Sequence, residues 1–149
     1  MSYLLDTCVL SEFTRKRPEP RVLDWLRSQP EDALFLSVVV LGELAKEIAQ
    51  LDESPKKRRL RAWLYTDLCA RFRGRVLSVT EAVALEWGSM SGRAARAGVQ
   101  IGVADGLIGA TACAHSLVVV TRNVADISAT GAPVLNPWTD LVKTQNSGS

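Results

Sequence analysis

The 149-residue chain has a single histidine, His115, which excludes any site that needs two imidazoles. Lying in an apolar helical stretch, it is expected to be a packed structural residue rather than a ligand. Cys8, Cys69 and Cys113 are odd in number and far apart, with no CxxC pair. Neither a disulfide framework nor a thiolate zinc site is indicated. No apolar run approaches the roughly 20 residues that span a bilayer. The N-terminus, Met1-Ser2-Tyr3-Leu4-Leu5-Asp6, lacks the basic region and the apolar length of a signal peptide. The expectation is a cytoplasmic protein with no membrane partner. P-loop and GxGxxG runs are also missing, which leaves nucleotide cofactors unsupported.

What remains is an ordinary globular balance, 47% hydrophobic and 23% charged residues, and it argues against disorder. The length suits one domain, expected over residues 1–142, with a polar, disordered tail at 143–149. Net charge is only +2, but its distribution is uneven. Lys56, Lys57, Arg58, Arg59, Arg61, Arg71, Arg73 and Arg75 cluster against one acid, Asp67, and Arg93 and Arg96 extend the set. Such a run is either a solvated helix face or a surface that attracts phosphates or an acidic partner segment.

Short, wholly apolar strands are expected at Tyr3–Leu5, Leu34–Leu36, Val76–Val79, Leu117–Thr121 and Pro133–Leu135. Helical patterns separate them: Thr7 to Thr14, Glu19 to Ser28, a helix capped by Ser37 and running to about Leu51, a basic helix from Ser54-Pro55 to about Phe72, Thr80 to Gly98, and Val103 to Ser116. Strands apolar on both faces, alternating with helices, indicate a parallel sheet covered on both sides. The fold class is α/β.

Such sheets place their sites beyond the C-terminal ends of the strands, and four acids stand there. Asp6 follows the first strand, Glu43 lies about two turns into the helix after the second, and Asp105 opens the Ala-rich helix. Asp126 follows the fourth strand, with Asn123 closer still. Each alone has a plain alternative: Asp6 or Asp105 as a helix cap, Glu43 paired with Lys46 or facing water, Asp126 as a loop acid. Gathered together, four carboxylates repel one another unless cations sit among them. Hard oxygen donors of this kind suit Mg²⁺ or Mn²⁺, and such ions activate water and stabilise leaving oxygens in phosphodiester cleavage.

Leu4-Leu5-Asp6-Thr7-Cys8-Val9-Leu10-Ser11-Glu12 resembles the opening of PIN-domain proteins, particularly VapC- and FitB-like toxins. Ser37 through Gly42-Glu43-Leu44 is similar to the second family motif, and Ala104-Asp105-Gly106-Leu107-Ile108-Gly109-Ala110-Thr111-Ala112 to the third. Thr121-Arg122-Asn123-Val124-Ala125-Asp126, followed by Gly131, Pro133 and Asn136-Pro137-Trp138, resembles the C-terminal portion. The segments occur in family order across residues 3 to 138.

The resemblance implies a PIN-like three-layer α/β/α domain with strand order 3-2-1-4-5. It implies Asp6, Glu43, Asp105 and Asp126 as catalytic, metal-binding acids, with Asn123 orienting a water or ligand. Thr7 and Thr121 are supporting residues, Thr7 acting on Asp6 through its hydroxyl or its amide. Arg122, Arg15 and Arg93 are candidate phosphate or RNA contacts. The activity implied is Mg²⁺- or Mn²⁺-dependent hydrolysis of RNA, tRNA or another structured RNA, by the toxin of a toxin–antitoxin pair. The partners implied are a second copy of the chain and a cognate antitoxin that covers the groove. Cys8 departs from the family pattern, which usually has Asn there; a thiol is a weak donor and would orient the first acid poorly.

Other readings are weaker. A phosphatase built on Cys8 and Arg15 fails because six residues, none of them glycine, separate the pair where five are needed. A dehalogenase-like phosphatase fails because Cys8 stands where the second Asp belongs. A catalytically silent binding module of the same fold, and a nuclease acting on DNA, are the remaining alternatives.

Overall fold

A computed structural model describes residues 1–140. The tail expected at 143–149, and the last two residues of the expected domain, lie outside the described residues. The strands are β1 (Tyr3–Leu5), β2 (Leu34–Ser37), β3 (Val76–Leu77), β4 (Val118–Val120) and β5 (Val134–Leu135). They form one five-stranded sheet in the order β3-β2-β1-β4-β5, every pairing parallel. The expected order and the α/β class are therefore found. β1 sits at the centre, with Leu4 beside Phe35 on one side and Val119 on the other.

Successive strand residues point to opposite faces. Leu4 and Leu5 are both fully buried, as are Val119 and Val120, so helices cover the sheet on both faces. These are α1 (Thr7–Ser11), α2 (Pro20–Arg27), α3 (Val38–Ala49), α4 (Pro55–Ala62), α5 (Cys69–Arg71), α6 (Glu81–Arg96), α7 (Val103–His115) and α8 (Val124–Ser128). Their starts follow local chemistry. Ser37, Ser54 and Thr80 cap α3, α4 and α6 with side-chain oxygens, and Pro55 fits the first turn, where no amide partner is needed. α7 ends on Ser116 in the left-handed region, at φ 56°, a conformation that stops the helix before β4.

The structure departs from the sequence reading in places. The basic helix is not uniform: Trp63–Leu68 between α4 and α5 is wound as a π-helix. Thr7–Thr14 splits into α1 and a 3-10 turn. Three strands are shorter than expected: β3 lacks Ser78 and Val79, β4 lacks Leu117 and Thr121, and β5 lacks Pro133. His115, expected to be packed, is exposed on the last turn of α7, since the apolar face of that helix is carried by Ile108, Ala110 and Ala112.

The basic segment also divides. Lys57 is buried and donates to the carbonyls of Leu51 (2.9 Å) and Ala49 (3.5 Å), closing the C-terminal end of α3, with Glu53 at 3.1 Å. Arg71 forks onto both oxygens of Glu31, and Arg75 joins them at 2.8 Å, while both guanidiniums lie over the Phe72 ring. These three cations tie elements together. Lys56, Arg58, Arg59 and Arg73 are exposed and make no ion pair among the described residues.

Candidate active site

Asp6 continues the central strand by one residue, its amide donating to the Val120 carbonyl at 3.0 Å. Its backbone is extended (φ −83°, ψ 167°), and Oδ1 accepts from the Thr7 amide at 2.8 Å. Asp6 is thus the N-cap of α1, and Thr7 supports it through the amide. The other oxygen, Oδ2, accepts from Thr121 Oγ1 at 2.7 Å. The carboxylate, only 5% exposed, is fixed at both oxygens, yet each oxygen keeps lone-pair capacity for another partner.

Thr121 is fully buried just past β4. Its one proton goes to Asp6, so it accepts from its other neighbours: the Asn123 amide at 2.9 Å and the Cys8 thiol at 3.5 Å. The thiol in turn accepts from the Arg122 amide at 3.4 Å. Burial pushes the Cys8 thiol up, against the opposing pull of the Arg122 and Thr121 hydrogen bonds, and the Asp6 charge adds to the rise. Cys8 therefore remains protonated and acts as donor. Cys8 makes no hydrogen bond to Asp6: Thr121 and Thr7 orient the carboxylate, and Cys8 braces Thr121 and the turn behind.

The other acids surround Asp6 electrostatically. Glu43 is half-buried in α3; burial raises its carboxyl most, then the charges of Asp6, Asp105 and Glu47, while Lys46 pulls weakly the other way. Asp105 lies in the first turn of α7, which has no side-chain cap. Burial again raises it most, followed by Asp6 and Asp126. Asp126 is exposed on α8, and the Asn123 side chain before it caps nothing. Asp6 thus bears on both Glu43 and Asp105, and Asp126 bears on Asp105. Among the described residues, no three of the side chains close on a single point.

The donor set fits a hard divalent cation. Four carboxylates and an amide offer oxygen ligands, and among the described residues no Lys or Arg forms an ion pair with any of the four acids. Of the three arginines considered as phosphate contacts, Arg122 is exposed beside the site with its guanidinium 4.2 Å above the Trp138 ring. Arg15 is held by Glu12 at 3.0 Å past the end of α1. Arg93 donates to Ser89 on its own helix, and no described contact joins it to the acids.

Two residues had no role in the sequence reading. Glu12 is 2% exposed and accepts from Arg15 and from the Glu19 amide at 2.8 Å, clasping the chain that leaves α1. Its signal was an acid in an apolar stripe, three residues after Val9 and beside Phe13. Trp138 gives Arg122 its platform, a pairing across distant segments that no local spacing announces.

A family model described as PIN domain matches residues 3–130. The chain is 39% identical over 137 residues to Toxin FitB of Neisseria gonorrhoeae, covering 92% of this chain and 99% of that protein. It is 32% identical over 135 residues to VapC ribonuclease Y4jK of Sinorhizobium fredii, with 91% and 96% covered. The fold superposes on the FitAcB crystal structure from Neisseria gonorrhoeae with a TM-score of 0.86 at 38% identity, covering 93% of this chain and 99% of that one.

Proposed function

The chain belongs to the PIN-domain family, and from that premise we propose that it is a Mg²⁺- or Mn²⁺-dependent endoribonuclease, the toxin of a toxin–antitoxin pair. One observation carries the reading: burial and then the charge of Asp6 raise both Glu43 and Asp105, and among the described residues no cationic side chain forms an ion pair with any of them. Acids that repel one another cost stability, and a bound cation would offset that cost.

In this reading Asp6, Glu43, Asp105 and Asp126 would hold the cation, which would supply an activated water and neutralise charge on the phosphodiester. Asp6 is the fixed member, locked by Thr7 and Thr121. Glu43, whose carboxyl is raised, is the acid best matched to take the proton of the attacking water. Asn123 orients that water or the phosphate, and Arg122, steadied on Trp138, meets the phosphate from the exposed side. The relatives named toxin and ribonuclease support the assignment. With it go a cognate antitoxin that neutralises the acidic groove, a homodimer and a cytoplasmic location. No helix among the described residues is long and apolar enough to cross a membrane.

The test is cleavage of RNA by antitoxin-free protein in Mg²⁺, Mn²⁺ or EDTA, alongside Asp6→Asn and Asp105→Asn. Metal-dependent cuts lost in both variants establish the activity and the acids together. Cuts of equal strength in the variants trace to a contaminant, and cleavage of DNA in preference to RNA redirects the substrate. Absence of any cleavage or metal-induced thermal shift leaves a binding module.

A further inference from the structure

A cleft of about 940 Å³, separate from the four acids, lies beyond the end of α1. Arg15, Lys16 and Arg17 form one wall, Lys56 and Arg59 of α4 the other, and Trp63 with Leu60 the floor. No acid lines it. Lys16, Arg17, Lys56 and Arg59 are exposed and make no side-chain hydrogen bond or ion pair among the described residues, so their charge is not spent on the fold. Trp63 is where the π-helical turn begins. Such widened turns often accompany functional surfaces.

The cleft runs on toward α3, the helix that carries Glu43. A smaller hollow shares Thr14, Lys56, Leu60 and Trp63 with it and extends to Ser11 and Glu47. Glu47 is one turn along α3 from Glu43 and close enough for its charge to raise that carboxyl. From Asp6 to Thr14 the path follows α1 and its 3-10 turn, roughly 12 Å by helical rise. That separation is a short stretch of nucleotides.

We propose that this cleft seats the single-stranded RNA that flanks the cut phosphodiester, its cations taking backbone phosphates while Trp63 stacks a base. The proposal rests on the endoribonuclease reading. A basic groove with an aromatic floor is the arrangement that holds single strands with little sequence preference. An acidic protein segment would also be drawn by the cations. The alternation of phosphate and base, however, suits a nucleotide strand to cations with an indole among them, whereas an acidic segment uses only the cations.

The experiment measures binding of a labelled single-stranded RNA of about 20 nucleotides to the antitoxin-free protein, in the Asp6→Asn background so that it is not cut. Affinity is compared with and without Lys16→Ala, Arg17→Ala and Arg59→Ala combined, across a salt series. In the otherwise wild-type background, cleavage of that RNA is compared with cleavage of a minimal substrate too short to leave the acidic site. The expected result is at least a roughly 10-fold weaker affinity and a log–log salt slope shallower by about 2, with minimal-substrate cleavage unchanged. Unchanged affinity and slope overturn the proposal; if binding of a cognate antitoxin falls instead, the cleft is a protein-docking surface. A wild-type chain that neither binds nor cuts RNA defeats the endoribonuclease reading itself, whereas one that cuts RNA while the triple variant binds normally defeats only the cleft.

Discussion

Thr121 Oγ1 donates its only proton to Asp6 Oδ2 across 2.7 Å, joining the ends of β1 and β4 by a side-chain bond just where their backbone ladder stops. Thr121→Val keeps the shape and removes the donor. We expect it to cost about 1–3 kcal/mol in urea unfolding, because a buried carboxylate oxygen loses its partner. Cleavage should fall by roughly 10- to 100-fold, as for other groups that orient a metal-binding side chain. Thr121→Ser should restore both; a Val variant of wild-type stability and rate would show that Thr7 alone holds Asp6.

Glu43 and Asp105 titrate above their ordinary values of 4.5 and 3.8. A carboxyl with a higher pKa in the folded than in the unfolded chain binds protons better when folded. Its contribution is therefore complete at low pH and lost as pH rises through the raised folded values. In EDTA, thermal stability should decline over that rise, and Asp105→Asn should flatten the decline while raising Tm near neutrality. Millimolar Mg²⁺ should act in the same direction on the wild type. A pH profile identical in wild type and Asp105→Asn would remove the charge coupling from the argument.

Glu31 has the opposite sign. The Arg71 fork, reinforced by Arg75, holds its carboxyl at about 2, below the ordinary 4.5. The stabilisation is present above the ordinary value and disappears as pH falls toward 2. Because the pair is half-exposed and screened, Glu31→Gln should cost no more than about 1 kcal/mol at pH 7. Denaturant curves of the two proteins should converge near the acid end, and a gap that persists there would mean that packing, not charge, is lost.

Gly109 and Gly92 make a contrasting pair. A β-carbon on Gly109 would overlap Thr130, which is buried and bonded to the Ile127 carbonyl, whereas one on Gly92 meets nothing within 4 Å. Gly109→Ala should destabilise by about 1–3 kcal/mol through overpacking, while Gly92→Ala in α6 should be neutral or stabilising by up to about 1 kcal/mol. Urea midpoints of the two variants decide it, and equal midpoints would mean that α7 shifts freely away from Thr130.

The strands and the α/β class were legible because strand ends in a parallel sheet are marked by apolar runs that stop abruptly, as Tyr3-Leu4-Leu5 stops at Asp6. The strand order was legible through resemblance alone. Illegible were the relations between distant segments. The segment 56–75 reads as one basic surface until Glu31, some 40 residues away, neutralises Arg71 and Arg75. Lys57 looks like its neighbours, yet folds back onto the end of α3. Cys8 reads as a defect beside Asp6 because its actual partners, Thr121 and Arg122, lie more than a hundred residues on. A residue's partners across a sheet leave no period in its own neighbourhood.

The central position of β1 has a consequence for how the protein comes into being. Its two neighbours are β2 and β4, and the acids follow β1, β2 and β4 or open α7. A nascent chain with only its first hundred residues outside the ribosome carries Asp6 and Glu43 but neither Asp105 nor Asp126. It also lacks the strand that would close the other side of β1. The last two of the four acids arrive only once translation is nearly complete, so copies cut short before α7 lack half of the set.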